Sequence, residues 1–353
     1  MLTTQQKTLR KFWYATMPVN YLAEGPKPFR LMGENIVLFL DKDGEPAALA
    51  DRCCHRTAQL SKGWVNDGNI VCGYHGWTYD RTGHVVAIPQ FDPGAVLPKH
   101  ASPAYHCTAR YGYVWVALDE PLAPIFDIPE EEDPKFRRIF QFYDEWHTAP
   151  LRLMENSFDN AHFSFVHKAT FGDVTQPKPQ KYSIEETDYG FVATTLIDIQ
   201  NPPIAHRVTG STDPTTSRNM KNHWYMPFSR RLDMRYPSGI QHVIINCATP
   251  IDDGSMQLVQ LLYRNDTEAD CPEQQLIDWD RIVIDEDRAM LESTDSDVCV
   301  DLNRRVEGHM PSDRPGIIMR RRLHELLRAN GEEEIHGGAN VAQLADPFDA
   351  VPA

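Results

Sequence analysis

Short segments of alternating or continuous apolar residues, each bounded by turn-forming residues, fill the first third of the chain. The segments that predict strands are residues 27–40, 47–51, 70–74, 85–88 and 111–118. Turn signals that end in glycine separate them at residues 41–44, 66–68 and 81–83. Short strands at this spacing predict a small all-β domain, a sandwich or barrel, over residues 1–118.

A different pattern follows residues 119–134, which are rich in Pro, Asp and Glu and predict a linker. Thr148 and Pro150 are typical of a helix start, and Pro272 opens a long helix that runs to about Ser293, with Asp270 as a candidate cap. Strands are predicted at residues 190–199, 242–248 and 256–263. We therefore expect a second domain of mixed helices and strands over residues 135–332, and a C-terminal tail over residues 333–353.

Composition narrows the class of protein. The 353 residues include 50 Asp and Glu against 35 Lys and Arg, a net charge of −15 that argues against nucleic-acid binding. No apolar run approaches the roughly 18–20 residues of a membrane span, and the start of the chain lacks a signal-peptide pattern, so we expect a cytoplasmic protein. Seven cysteines without a secretory signal favour metal or redox chemistry over disulfides.

Two cysteine–histidine pairs form the first cluster with chemical meaning. Cys53 and His55 have the spacing C-x-H, and Cys72 and His75 have the spacing C-x-x-H. Two thiolates and two imidazoles are the ligand set of a Rieske [2Fe–2S] centre, in which cysteines hold one iron and histidines the other. Zinc also accepts two cysteines and two histidines, but classical zinc fingers pair Cys with Cys and His with His.

The second cluster lies between residues 155 and 167. Asn156, Asp159 and His162 follow one another at intervals of three, so an ideal helix would place them on one face. His167 lies about 140° around that helix from His162, so both imidazoles reach one metal only if the helix ends or distorts between them. Taken alone, the pattern also fits two hydrogen-bonded histidines near a helix end.

A carboxylate that could complete a metal site lies on the long C-terminal helix. Taking Leu276 as zero, the apolar residues Trp279, Val283, Met290 and Leu291 all lie within about 60° of it. Asp287 lies at about 20°, near the middle of this face, where a carboxylate is costly unless it is paired or binds a cation. The alternatives are Asp280, at about 40°, and the later residues Asp295 and Asp297.

These motifs resemble those of the Rieske non-haem iron oxygenases. The matching segments are residues 51–56 and 72–77 for the cluster loops, the spacing N-x-x-D-x-x-H-x-x-x-x-H from Asn156 to His167, and an E-D-x-x-x-x-E setting around Asp287. The resemblance implies that His162, His167 and Asp287 hold a mononuclear iron. Cys54 departs from the Pro or Ala of many members, and the C-x-H spacing selects Cys53 as the ligand.

The resemblance also implies an architecture. It predicts the α+β class, with an N-terminal all-β Rieske domain followed by a helix-grip catalytic domain in which an antiparallel sheet wraps long helices. In this family chains pack head to tail, usually as trimers, and a carboxylate joins a cluster histidine of one chain to an iron histidine of the next. Asp159 matches that position, which predicts a path His75–Asp159–His162. The alternative is that Asp159 is a helix-surface carboxylate.

The implied activity is that of a terminal oxygenase in the branch that includes vanillate, dicamba and caffeine demethylases. The chain lacks nicotinamide and flavin fingerprints, so electrons from NAD(P)H would arrive through a separate reductase or ferredoxin. We expect monooxygenation of a small aromatic or heterocyclic compound, by hydroxylation or O- or N-demethylation. The alternatives are a ring cis-dihydroxylating dioxygenase and, in another class, an electron-transfer Rieske protein without oxygenase activity.

Overall fold

The structure, a computed structural model, describes residues 1–337. It divides into two compact units, one formed by Leu9–Ile125 and the other by Met1–Thr8 together with the chain from Phe126 onward. Residues 338–353, most of the predicted tail, lie outside the described residues.

The first unit contains ten strands in two antiparallel sheets. The strands are β1 (Tyr14–Pro18), β2 (Lys27–Leu31), β3 (Glu34–Leu40), β4 (Pro46–Ala50), β5 (Trp64–Asn66), β6 (Asn69–Val71), β7 (Thr78–Tyr79), β8 (Val85–Ala87), β9 (Ala104–Arg110) and β10 (Tyr113–Ala117). One sheet has the order β1-β10-β9-β4-β3-β2, and the other has the order β5-β6-β7-β8. The all-β character predicted for this part of the chain is confirmed.

The core of this unit explains where its chemistry is placed. The side chains of Val37 and Phe39 on β3 pack in one buried cluster with Tyr79 on β7. The same cluster contains Cys53, three residues after the end of β4, and Cys72, which follows β6 directly. The two cysteine loops are therefore anchored on a rigid apolar base.

The second unit is built on one seven-stranded antiparallel sheet in the order β11-β17-β16-β15-β14-β13-β12. Its strands are β11 (Arg137–Trp146), β12 (Ser183–Thr187), β13 (Gly190–Gln200), β14 (Thr215–Tyr225), β15 (Ser229–Arg235), β16 (Gln241–Pro250) and β17 (Met256–Arg264). Its helices are α1 (Pro150–Ser157), α2 (Phe163–Val166), α3 (His206–Thr209), α4 (Glu273–Leu291) and α5 (Arg314–Ala329). This sheet with its long helices confirms the predicted α+β class.

Helix α4 follows the predicted amphipathic pattern except at its ends. Leu276 and Asp287 are buried as expected, and so is Leu291 at the end of the helix, but Met290 is 53% exposed. Pro272 occupies the N-cap position, and the carboxylate of Asp270 instead accepts the backbone N–H of Thr267. The buried stripe therefore carries a carboxylate in its middle, as the sequence indicates.

The start of the chain differs from the predicted domain division, which placed residues 1–118 in one domain. The N–H of Leu2 donates to the carbonyl of Ile335 at 2.7 Å, and the Thr8 hydroxyl donates to the Glu332 carboxylate at 2.6 Å. These contacts, which join residues far apart in the chain, assign the first eight residues to the second unit. None of the helices in residues 1–337 has the length and apolarity that crossing a bilayer requires.

Candidate metal centres

The two cysteine loops of the first unit share one backbone geometry. The carbonyls of Cys53 and Cys72 each accept, at 2.9 Å, the N–H of the residue four positions later, Thr57 and Gly76 respectively. Both of these residues have positive φ angles, 59° and 73°, which turn each loop back on itself. Each cysteine N–H in turn donates to the carbonyl five positions later. Two equivalent loops thus present one Cys and one His each.

The four side chains suit the Rieske cluster. Cys53 and Cys72 are 2% and 1% exposed, and burial raises the pKa of the Cys72 thiol. The His55 and His75 rings are adjacent, with centroids 4.6 Å apart. The Nδ1 atom of His55 is buried and has no hydrogen-bond partner among residues 1–337, so it is available to a metal. Thiolates at the buried end and imidazoles at the outer end match the asymmetric ligand set of that cluster.

Two neighbours of these ligands were not predicted. The Tyr79 hydroxyl lies 3.0 Å from Cys53 Sγ and 3.3 Å from Cys54 Sγ, and burial raises its pKa so that it stays protonated. Trp77 stacks on the His55 ring at 4.6 Å with the planes 3° apart. No spacing rule marks a hydroxyl that acts on a cysteine 26 residues earlier, so this contact requires the fold.

In the second unit, three donor atoms meet. His162 Nε2 lies 3.2 Å from His167 Nε2, and Asp287 Oδ1 lies 3.5 Å from the former and 3.2 Å from the latter. Atoms that share one metal ion at bond lengths of about 2.1 Å lie roughly 3.0–3.4 Å apart. Two imidazoles and one carboxylate are the facial set typical of non-haem iron. The residues present therefore fit a mononuclear iron.

A break in the helix makes this meeting possible. Helix α1 ends at Ser157, and the Asp159 carboxylate accepts the N–H groups of Ala161 at 2.7 Å and His162 at 3.1 Å, which starts the next turn. His162 and His167 flank the one-turn helix α2 as its N-cap and C-cap. The single continuous helix considered for residues 155–167 is absent, and the condition that it must end or distort is met.

Each imidazole has a carboxylate at its other nitrogen. Asp159 Oδ2 lies 3.2 Å from His162 Nδ1, and Glu286 Oε2 lies 2.8 Å from His167 Nδ1. Burial alone would raise the pKa of Asp159, but its hydrogen bonds and the neighbouring imidazole lower it. Glu286 also accepts the Thr170 hydroxyl at 2.9 Å. Glu286 was not predicted, although its position beside Asp287 on α4 was a signal.

The alternative carboxylates are engaged elsewhere. Asp280 lies 3.0 Å from His242 Nε2 and accepts the Gln141 amide at 2.6 Å. Asp297 pairs with the N-terminal amine and with His336 instead of the two imidazoles.

Within residues 1–337 a second trio could also reach one metal, namely Cys299, Glu334 and His336. Glu334 already accepts the N–H groups of Val300 at 2.8 Å and Asp301 at 3.1 Å, and His336 Nδ1 lies 2.7 Å from Asp297. These bonds fix the segment after α5 to the preceding loop.

A cavity opens onto the three converging donors. Half of its lining residues are apolar or aromatic, namely Phe163, Phe171, Met220, Leu232, Met234, Tyr236, Ile244, Trp279 and Val283. The other half are polar or charged, and besides the three donors they include Arg218, Arg230, His242 and Asp280. A concave pocket that combines apolar surface with convergent polar groups is typical of a site for a small molecule.

Comparison with known proteins places the chain in a family. Residues 12–105 match the Rieske [2Fe-2S] domain, and residues 146–329, just over half of the chain, match the vanillate O-demethylase oxygenase C-terminal domain. Methylxanthine N1-demethylase NdmA of Pseudomonas putida is 29% identical, covering 94% of this chain and 93% of its own.

Solved structures agree with this match. NdmA of Pseudomonas putida CBB5, as a QL mutant with theobromine, superimposes with a TM-score of 0.79 and 27% identity over 94% of both chains. Dicamba monooxygenase bound to dicamba shares the fold, with a TM-score of 0.77 and 21% identity over 92% of this chain and 98% of its own. The chain belongs to the Rieske non-haem iron oxygenases, and its cofactors are a [2Fe–2S] Rieske cluster and a mononuclear iron.

Proposed function

We propose that this oxygenase monooxygenates a small aromatic or heterocyclic compound, and that it removes a methyl group where the attacked carbon is bonded to N or O. The observation that carries the proposal is the cavity with aromatic walls that opens onto His162, His167 and Asp287. The relatives named above as demethylases support the same reaction class.

In this proposal the ligands divide between the two units. The cluster is held by Cys53, His55, Cys72 and His75. The iron is held by His162, His167 and Asp287. When bound, the cluster supplies single electrons and the iron supplies the activation of O2. The chain's own contribution is to keep both metals in place.

The cavity residues determine what is attacked. Phe163, Phe171 and Trp279 offer ring faces that bind a flat compound and keep bulk water from the reacting carbon. One oxygen atom of O2 enters the C–H bond, and the other leaves as water with two electrons and two protons. When the carbon carries N or O, the resulting hemiaminal or hemiacetal breaks down to formaldehyde and the demethylated compound.

Electron delivery is the part of the proposal that involves other chains. We infer that a reductase or ferredoxin, reduced by NAD(P)H, delivers electrons to the cluster in the cytoplasm. We also infer that three copies of this chain form a ring. Asp159 supports this arrangement, because its side chain is 30% exposed while it also contacts the iron-side imidazole His162. An exposed carboxylate on that imidazole can meet His75 of a neighbouring copy.

The test is a screen of aromatic and heterocyclic methyl ethers and methylamines for substrate-dependent O2 uptake, with a generic reductase and NADH. We expect formaldehyde in a one-to-one ratio with O2 for at least one compound. Labelled O2 separates the outcomes, because monooxygenation puts one labelled atom into the products and cis-dihydroxylation puts in two. About two irons per chain instead of three, with no O2 uptake, would support the electron-transfer alternative.

A further inference from the structure

Arg218, on β14, is a buried cation that forms no ion pair within residues 1–337, although Asp280 favours its charge without direct contact. Its side chain is 7% exposed, and its guanidinium carbon lies 4.1 Å from the centre of the Phe171 ring and 5.6 Å from that of Phe163. Its Nε has no hydrogen-bond partner among residues 1–337, and a terminal nitrogen lies 3.6 Å from the sulfur of Met234. Burial lowers the pKa of the guanidinium and outweighs Tyr236, Tyr182 and Asp280, which favour its charged form.

Burial of an arginine without an ion pair destabilises the folded protein unless another group compensates the charge. Arginine stays protonated in proteins, so Arg218 cannot escape the cost of burial by losing its charge. Withdrawing a charge from water costs more than the face of an aromatic ring returns. The other buried arginines show the usual solution, since Arg231 pairs with Glu130 and Arg320 pairs with Glu155. Arg218 differs because it lines the cavity.

The charges that face the cavity favour an anion. Arg230 also lines it, and within the part of the chain that the structure describes its guanidinium donates to neutral oxygens, the Asn246 amide at 2.8 Å and the Ser157 carbonyl at 3.0 Å. The two carboxylates that line the cavity, Asp280 and Asp287, balance the two guanidiniums. A divalent iron beside Asp287 then gives the loaded cavity an excess of positive charge.

We propose that the substrate is an aromatic carboxylate, and that the guanidinium of Arg218 binds its carboxylate group while the ring lies in the apolar part of the cavity. The centre of the Phe171 ring lies 4.1 Å from the Arg218 guanidinium carbon and 4.6 Å from the centre of the His167 ring. All three residues line the cavity, so the guanidinium and the iron-side imidazole are close enough for one small molecule to meet both. The planar fork of arginine matches a carboxylate through two parallel hydrogen bonds. This inference rests on the proposed function, whose substrate class it narrows.

Equilibrium binding to the iron-loaded protein under argon tests the inference without turnover. The probes are 3- and 4-methoxybenzoate and the matching methoxybenzamides, which have nearly the same shape but no charge. Calorimetry gives the affinities. We expect the better acid to bind about 30-fold more tightly than its amide, the range of charge-assisted hydrogen bonds. Equal affinities, or no measurable binding of either acid, would overturn the inference.

Variants assign the preference to one residue. Arg218→Met should weaken binding of the acid about 30-fold and leave binding of the amide within about twofold. Arg218→Lys keeps the positive charge but not the planar guanidinium, so its affinity for the acid should lie between those of wild type and Arg218→Met. Arg235→Met is the control, because Arg235 lies on the neighbouring strand β15 with its side chain 61% exposed and should keep the full preference.

The binding and turnover experiments distinguish failure of this inference from failure of the proposed function. A preference for the acid that survives in Arg218→Met would exclude Arg218 as the recognition group. O2 uptake with neutral substrates alone would refute the carboxylate while the oxygenase function stands. A preference that depends on Arg218, without O2 uptake for any compound, would instead refute the proposed function.

Discussion

Replacing Glu286 by alanine should weaken iron binding in the second unit without disturbing the Rieske cluster. Glu286 Oε2 lies 2.8 Å from His167 Nδ1, and the carboxylate side chain is 17% exposed. The carboxylate fixes the ring so that Nε2 points at Asp287, and it makes the imidazole a more basic ligand. Removing such a partner costs about 10–100-fold in metal affinity, or ~1.4–2.7 kcal/mol. Glu286→Gln keeps a hydrogen-bond acceptor and should lose less.

The assay measures Fe(II) affinity by competition with a coloured chelator, on protein whose mononuclear site has been emptied and whose cluster is intact. The Rieske absorption, recorded on each sample, reports the first unit separately. Glu292→Ala is the matched control, since Glu292 follows the same helix but bonds the Arg288 guanidinium at 2.8 Å and the His147 N–H at 3.0 Å. Unchanged affinity in Glu286→Ala, or an equal loss in Glu292→Ala, would refute the orienting role.

Four further outcomes are expected. Asp159→Asn should leave both metal sites filled but lower turnover at least about 100-fold, and undiminished turnover would exclude the bridging role. Tyr79→Phe should lower the cluster's reduction potential by about 40 mV in voltammetry, the equivalent of ~1 kcal/mol for one hydrogen bond, and an unchanged potential would contradict this. Burial would raise the pKa of Glu307, but Arg152 and Arg320 lower it from 4.5 to about 2. The ionised Glu307 carboxylate therefore stabilises the folded protein fully above pH 4.5, and this stabilisation is lost as the pH falls towards 2. In chemical denaturation at pH 7, Glu307→Gln should lower the free energy of unfolding by ~1–2 kcal/mol. A difference from wild type that does not shrink in acid would show that the charge is not responsible. Dialysis against a chelator should remove one iron per chain before the cluster absorption changes, because three protein ligands leave positions open to solvent; simultaneous loss would contradict this.

Part of the fold could be predicted because short runs rich in apolar and β-branched residues indicate strands. The strand predicted at residues 242–248 lies within Gln241–Pro250, and the one predicted at residues 256–263 lies within Met256–Arg264. The first eight residues could not be assigned, because their partners lie more than 300 residues away and no local pattern encodes that pairing. The start of α1 was also misjudged: Ala149 occupies the N-cap, and the Thr148 hydroxyl donates instead to the carbonyl of Leu291.

The residues of the candidate site also fall into those that local sequence indicates and those that only the fold reveals. Spacing within one loop or helix revealed the cysteine–histidine pairs and the histidines around α2, because those ligands are neighbours in sequence. Glu286 and Tyr79 contact residues that are distant in sequence, and Arg218 faces a cavity that several elements form. Which way these side chains point depends on the fold. Asp287 is intermediate, since the amphipathic pattern marked it as a buried carboxylate but only the fold brings it to the imidazoles.

The two carboxylates on the imidazoles differ in exposure, and that difference separates their roles. The Asp159 side chain is 30% exposed and its imidazole, His162, is 11% exposed. Glu286 is 17% exposed and its imidazole, His167, is 2% exposed. A group that passes electrons from another chain must reach the surface, whereas a group that only orients a ligand works best when it is buried, because solvent then competes less for its hydrogen bond. Replacing Asp159 should therefore change turnover at constant iron content, and replacing Glu286 should change iron content first.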